Sequence, residues 1–100
     1  MKYIVYWEWN ERDTVGLIKK SREIDELRKE NPERFPTTLS GGSLVIVGDP
    51  EQPRSGISLY EANKEQMEKW QEFYRPELKV TKIVELVTAH EYIKELESKM

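Results

Sequence analysis

Four short apolar runs and two helical patterns alternate along this chain in the order strand, helix, strand, strand, helix, strand. A chain of 100 residues has few ways to bury such a set, so the order constrains the architecture more than any single motif does. It also makes one domain, over residues 1–100, the expectation.

Residues 2–9 are β-branched and aromatic and too short for a helix, so they read as a strand. Tyr3, Val5, Trp7 and Trp9 share one face and form the stronger core side; Lys2, Ile4, Tyr6 and Glu8 share the other. Asp13 or Thr14 caps a helix that runs to about Glu30, with Val15, Ile18, Ile24 and Leu27 as its apolar stripe. Asn31-Pro32 ends it, and Phe35 and Leu39 plug the core's edge from the loop that follows. Gly41-Gly42 permits a sharp turn into the second strand, Ser43 to Gly48, which is apolar on both faces, as a strand covered on both sides is. A loop stiffened by Pro50 and Pro53 leads to the third strand, Gly56 to Glu61, with Ile57 and Leu59 on one side and Ser58 and Tyr60 on the other. Asn63 caps the second helix, whose Met67, Trp70, Phe73 and Tyr74 form an aromatic stripe, and Pro76 closes it. In the fourth strand, Val80 to Ala89, one face takes Val80, Lys82, Val84 and Leu86, and the opposite face takes Thr81, Ile83, Glu85 and Val87. A last short helix, His90 to Lys99, has Tyr92, Ile93 and Leu96 on one side.

Two strand–helix–strand units in one short chain predict an α+β fold, the ferredoxin-like βαββαβ sandwich, here with an extra C-terminal helix. Right-handed crossovers place the first and third strands centrally, expected parallel, with the second and fourth at the edges and both helices on one face. The other face is then bare. It is expected to carry Ile4, Tyr6, Glu8, Ile83, Glu85 and Val87 with Ser58 and Tyr60, an interleaving of apolar and polar groups that a second copy of the chain would cover.

The opening Met1-Lys2-Tyr3-Ile4-Val5-Tyr6-Trp7, the Gly41-Gly42 before the second strand and Met67-Glu68-Lys69-Trp70 in the second helix resemble short domains of unknown function in the dimeric α/β-barrel superfamily. The resemblance covers most of residues 1–88 and brings no catalytic signature. It implies homodimers whose two sheets close into a barrel. Its members include cofactor-free oxygenases, haem-degrading enzymes, isomerases and small-molecule sensors, with ligands often held between sheet and helices. The helix from His90 departs from that pattern.

Composition narrows the partners. The net charge of −3 argues against nucleic acid and anionic membranes. No cysteine is present, which excludes disulfides, thiolate catalysis and Cys-ligated zinc. Charged residues at 35%, against the usual quarter, fit a heat-adapted source. The first residues read as a strand rather than a signal peptide, and no apolar run reaches the roughly 20 residues that span a bilayer, so a cytoplasmic protein is expected.

The candidate pocket or interface residues are Tyr6, Glu8, Tyr60, Glu85 and His90. A carboxylate held beside aromatic rings inside a closed barrel has a raised pKa and can move protons; the ordinary alternative is a set of interface hydrogen bonds. His90 is the one histidine, the residue type whose unperturbed pKa lies near neutrality; as an acid, base or haem ligand it would sit at the rim of the barrel, and its ordinary role is a surface residue starting a helix. Trp7, Trp9 and Trp70 with Phe73 could frame a flat ligand, although aromatic stripes at such spacings more often build core. Arg54-Ser55-Gly56-Ile57-Ser58-Leu59-Tyr60 matches an RNA-recognition signature only loosely, and no Lys-Ser/Thr follows Gly41-Gly42 or Gly48 to make a phosphate loop. No metal site and no cofactor is expected. The leading expectation is a homodimer that binds a small molecule, with a small cofactor-free oxygenase or isomerase as the alternative and a structural or interaction module as the third.

Overall fold

The computed structural model describes residues 1–39 and 43–100, so the turn expected at Gly41-Gly42 lies outside the described residues. The chain is α+β: a five-stranded antiparallel open sheet with three α-helices. Its elements are β1 (Lys2–Glu8), α1 (Thr14–Glu30), β2 (Thr37–Thr38), β3 (Leu44–Ile46), β4 (Ser55–Glu61), α2 (Lys64–Tyr74), β5 (Lys79–Leu86) and α3 (Ala89–Ser98). Single 3-10 turns at Glu11–Asp13 and Pro32–Arg34 flank α1.

The sheet order is β2-β4-β1-β5, and β3 shares the outer edge of β4 with β2. The third apolar run therefore neighbours the first, as expected, but runs antiparallel to it: Lys2 stands opposite Glu61 and Glu8 opposite Ser55. The crossover through α1 returns the chain parallel to β1, and the loop after β3 then reverses it, so β4 must oppose β1. Residues directly opposite on antiparallel strands share a face, which makes the register decisive. Val5 faces Ser58 and Tyr3 faces Tyr60, so Ser58 and Tyr60 lie on the helix side and not, as expected, on the bare side. Ile57, opposite Tyr6, and Leu59, opposite Ile4, occupy the bare side instead.

β5 corrects the expectation in the same way. A bulge at Thr81 of β5, opposite the step from Tyr6 to Trp7, puts Val80 opposite Trp7 while Lys82, Val84 and Leu86 stand opposite Tyr6, Ile4 and Lys2. Ile83 and Glu85 pair with Val5 and Tyr3 on the helix side. A strict alternation cannot survive the extra residue, Thr81, whose hydroxyl donates to the Tyr6 carbonyl at 3.2 Å.

The core lies between the sheet and the two helices. Val5, Trp7 and Tyr60 meet Ile24 of α1 and Met67 and Trp70 of α2, with Phe35 and Leu78 closing the ends. The α1 stripe is rotated from the one expected: Leu17, Ile24 and Leu27 face inward, while Val15 and Ile18 are exposed. Asn63 caps α2 as read, its side chain accepting from the Gln66 backbone N–H at 2.8 Å while Gln66 Oε1 accepts from the Asn63 N–H at 2.9 Å. The second apolar run forms only the three-residue β3, and Leu44, Val45 and Val47 are exposed rather than covered on both sides.

All ten residues of α3 are exposed, and the helix makes no extensive contact with any other element. The molecule measures 53 × 37 × 21 Å, with a radius of gyration of 15.5 Å. A compact chain of this length would have about 13 Å.

Candidate functional site

A hollow of about 430 Å³ opens between α1, the helix side of the sheet and the β3 edge. That volume falls within the range of small-molecule pockets, roughly 300–1,000 Å³. Its walls are aromatic because β1 and α2 each deliver rings to one side: Trp7 and Trp9 come from β1 and its extension, Trp70 and Tyr74 from successive turns of α2, and Tyr60 from β4. The rings brace one another. Trp7 and Trp9 have centroids 5.8 Å apart, Tyr60 meets Trp70 edge-on at 5.4 Å, and Trp70 meets Tyr74 at 5.4 Å. Such contacts are worth about 0.5–1.5 kcal/mol each beyond burial and hold the walls in place.

Polar groups converge on the same space. The Trp7 indole N–H donates to Ser58 Oγ at 2.9 Å, and Ser58 Oγ lies 2.6 Å from Ser43 Oγ, a chain of hydrogen bonds along one wall. Ser58 is 1% exposed, so its hydroxyl has no recourse to bulk water. Trp70, also lining the hollow, is buried with its indole N–H unpaired among the described residues. An unpaired buried donor costs about 1–3 kcal/mol, a deficit that an acceptor brought by a ligand would relieve. Ser21, Arg22 and Asp25 of α1 add polar groups to the lining. Burial pushes the Tyr74 phenol above its ordinary value, with the Ser21 hydroxyl acting in the opposite direction.

The residues singled out from the sequence scatter. Tyr6 and Glu8 lie on the bare face, in a second depression of about 300 Å³ with Ile46, Gln52, Ser55 and Lys82. Glu8 pairs there with Lys79 at 3.8 Å, and the Lys82 ammonium stands 5.8 Å from the centre of the Tyr6 ring. Tyr60 is buried in the core against Trp70, with the Arg28 guanidinium 5.9 Å from its ring centre. Glu85 is exposed on the helix side of β5, and His90 is exposed in the first turn of α3. The structure thus joins Tyr6 to Glu8, and separates both from Tyr60, Glu85 and His90. Trp7, Trp9 and Trp70 do share a hollow, but Phe73 is not among its lining residues. Ser21, Ser43, Ser58 and Tyr74 were not read as pocket residues from the sequence: Ser58 was expected on the bare face and Tyr74 in the core stripe of the second helix. A small polar residue on an otherwise apolar strand, Ser58, was the one signal that could have found them.

Among the described residues no cluster of His, Asp or Glu is placed to hold a metal ion. Among the described residues no helix is long and apolar enough to cross a membrane. No protein-family model matches the chain, and comparisons with curated proteins and with solved structures find no match.

Proposed function

We propose that this chain is a cytoplasmic, homodimeric small-molecule-binding domain of the ferredoxin-like, dimeric α/β-barrel kind. The single observation that carries the binding reading is the aromatic hollow of about 430 Å³ with an unpaired Trp70 N–H in its lining. The ligand it suits is flat and largely apolar, with at least one hydrogen-bond acceptor for the indole. The strand order, with two helices on one side of the sheet, supports the fold assignment. The dimer reading draws on the bare face, where Ile4, Ile57, Leu59, Val84 and Leu86 gather on the side of the sheet away from α1 and α2.

The test of binding uses 8-anilinonaphthalene-1-sulfonate, a flat apolar probe with acceptor oxygens, followed by tryptophan emission. Saturable quenching at one probe per chain is expected. Ser21 is exposed yet lines the hollow, so Ser21→Trp blocks the space without touching the core and abolishes the quenching while far-ultraviolet circular dichroism stays unchanged. Equal quenching in wild type and Ser21→Trp sinks the reading.

A further inference from the structure

We infer that α3 is an exchanged arm: in the dimer, the helix of each protomer packs its apolar stripe against the other copy, completing an interface that the bare sheet face alone leaves too small. This inference rests on the dimer reading above. Ala89, Tyr92, Ile93, Leu96 and Met100 recur at helical spacing and form one stripe, and the last four are half to fully exposed. A ten-residue helix with no extensive contact to another described element is marginal in water, where helices shorter than about 12–15 residues fray. Yet this one is built to persist, with Thr88 Oγ1 accepting from the Glu91 N–H at 3.1 Å as its cap. Only Val87 and Thr88 separate it from β5, and in that geometry every residue of the helix stands clear of its own sheet.

Area argues for a second copy as the occupant. The sheet is four strands wide and its long central strands have seven residues, a footprint of about 19 by 23 Å at ordinary strand spacing and rise. Two such faces bury about 900 Å², short of the roughly 1,200–2,000 Å² of a stable specific interface. Each α3 presents a strip about 15 by 10 Å, and two exchanged arms with their receiving surfaces raise the total to about 1,500 Å². Charge points the same way. Glu97 borders the stripe on one side with no ionic partner among the described residues, and Lys99 on the other side is paired with Glu95 at 3.4 Å. Lys2 and Lys82 border the apolar part of the bare face with no carboxylate at ion-pair distance among the described residues.

The experiment pairs light scattering with amide hydrogen exchange on the full chain. A mass of twice 11.9 kDa is expected, with α3 amides protected at high concentration and exchanging freely after dilution below the dissociation constant, while β1 and β4 stay protected. Ile93→Ser with Leu96→Ser, both exposed in the single chain, is expected to raise the dissociation constant about tenfold or more, the scale of removing a buried aliphatic anchor. A dimer whose α3 exchanges freely, or whose affinity the double variant leaves unchanged, overturns the arm while the dimer stands, and frees the stripe for a different partner. Protection of α3 in the diluted single chain means that it docks on its own sheet, and overturns the arm as well. A single-chain mass at every concentration with α3 unprotected removes both the dimer and the arm.

Discussion

Gly56 is the position where one methyl group does most damage. A Cβ there would sit 2.5 Å from the Leu44 carbonyl oxygen and closer still to the six-membered ring of Trp7, whose indole lies directly over the glycine. Ordinary contacts lie near 3.5 Å, so either the indole or the β3 backbone must retreat by about an ångström. Overpacking of this kind costs about 1–3 kcal/mol, and a displaced Trp7 also loses its bond to Ser58, about 1 kcal/mol more. A total of about 2–4 kcal/mol corresponds to a fall in Tm of roughly 10–25 °C for a domain of this size. Gly48→Ala supplies the control, because a Cβ at Gly48 meets nothing within 4 Å and neither glycine has a backbone in the left-handed region. Thermal melts of both variants at one protein concentration, with near-ultraviolet circular dichroism reporting the Trp7 surroundings, make the comparison. A Gly56→Ala melt that coincides with that of Gly48→Ala and keeps the native tryptophan signal would refute the steric argument.

Ser58→Ala strands the Trp7 N–H in a buried wall and removes the partner of the exposed Ser43 hydroxyl. It is expected to cost about 1–3 kcal/mol, read as a lower denaturant midpoint at constant slope; an unchanged midpoint would mean that the indole is satisfied from the hollow itself. Two titrations carry opposite signs. The Lys20 ammonium hydrogen-bonds the Glu77 carboxylate and holds its pKa below the ordinary value, so its stabilisation is present above the unfolded carboxylate range and lost as pH falls through the folded pKa. Glu77→Gln should flatten that acid limb, and an unaltered acid limb contradicts the pairing. Burial raises the Tyr74 phenol above 10.0, so its contribution is complete below that pH and lost as pH climbs through the folded pKa. Absorbance at the phenolate band should show one tyrosine ionising late, which Tyr74→Phe removes.

Much of the organisation was legible one segment at a time. Asn63 and Gln66 three residues apart mark the start of α2, and Tyr74 ends it before Pro76, because capping and chain-breaking act within a few residues. Alternation along β1 sorted Val5 and Trp7 from Tyr6 and Glu8 correctly, since a seven-residue strand without a bulge keeps its period. The same rule misassigned β4 and β5. Period two says which residues share a face but not which face meets the helices, and Tyr60 and Ser58 were placed on the wrong one. In β5 the bulge at Thr81 breaks the period itself, and no residue type announces it.

The sequence alone determined the succession of the helices and of every strand but the two-residue β2, the capping of α2 and the two-sidedness of β1, all set by interactions between residues close in the chain. Only the tertiary structure decided the antiparallel neighbour of β1, the face taken by Tyr60 and Glu85, and the hollow that brings Trp7, Ser58 and Trp70 together. Those depend on register between strands some fifty residues apart in the chain, where a slip of one place turns every side chain to the opposite side.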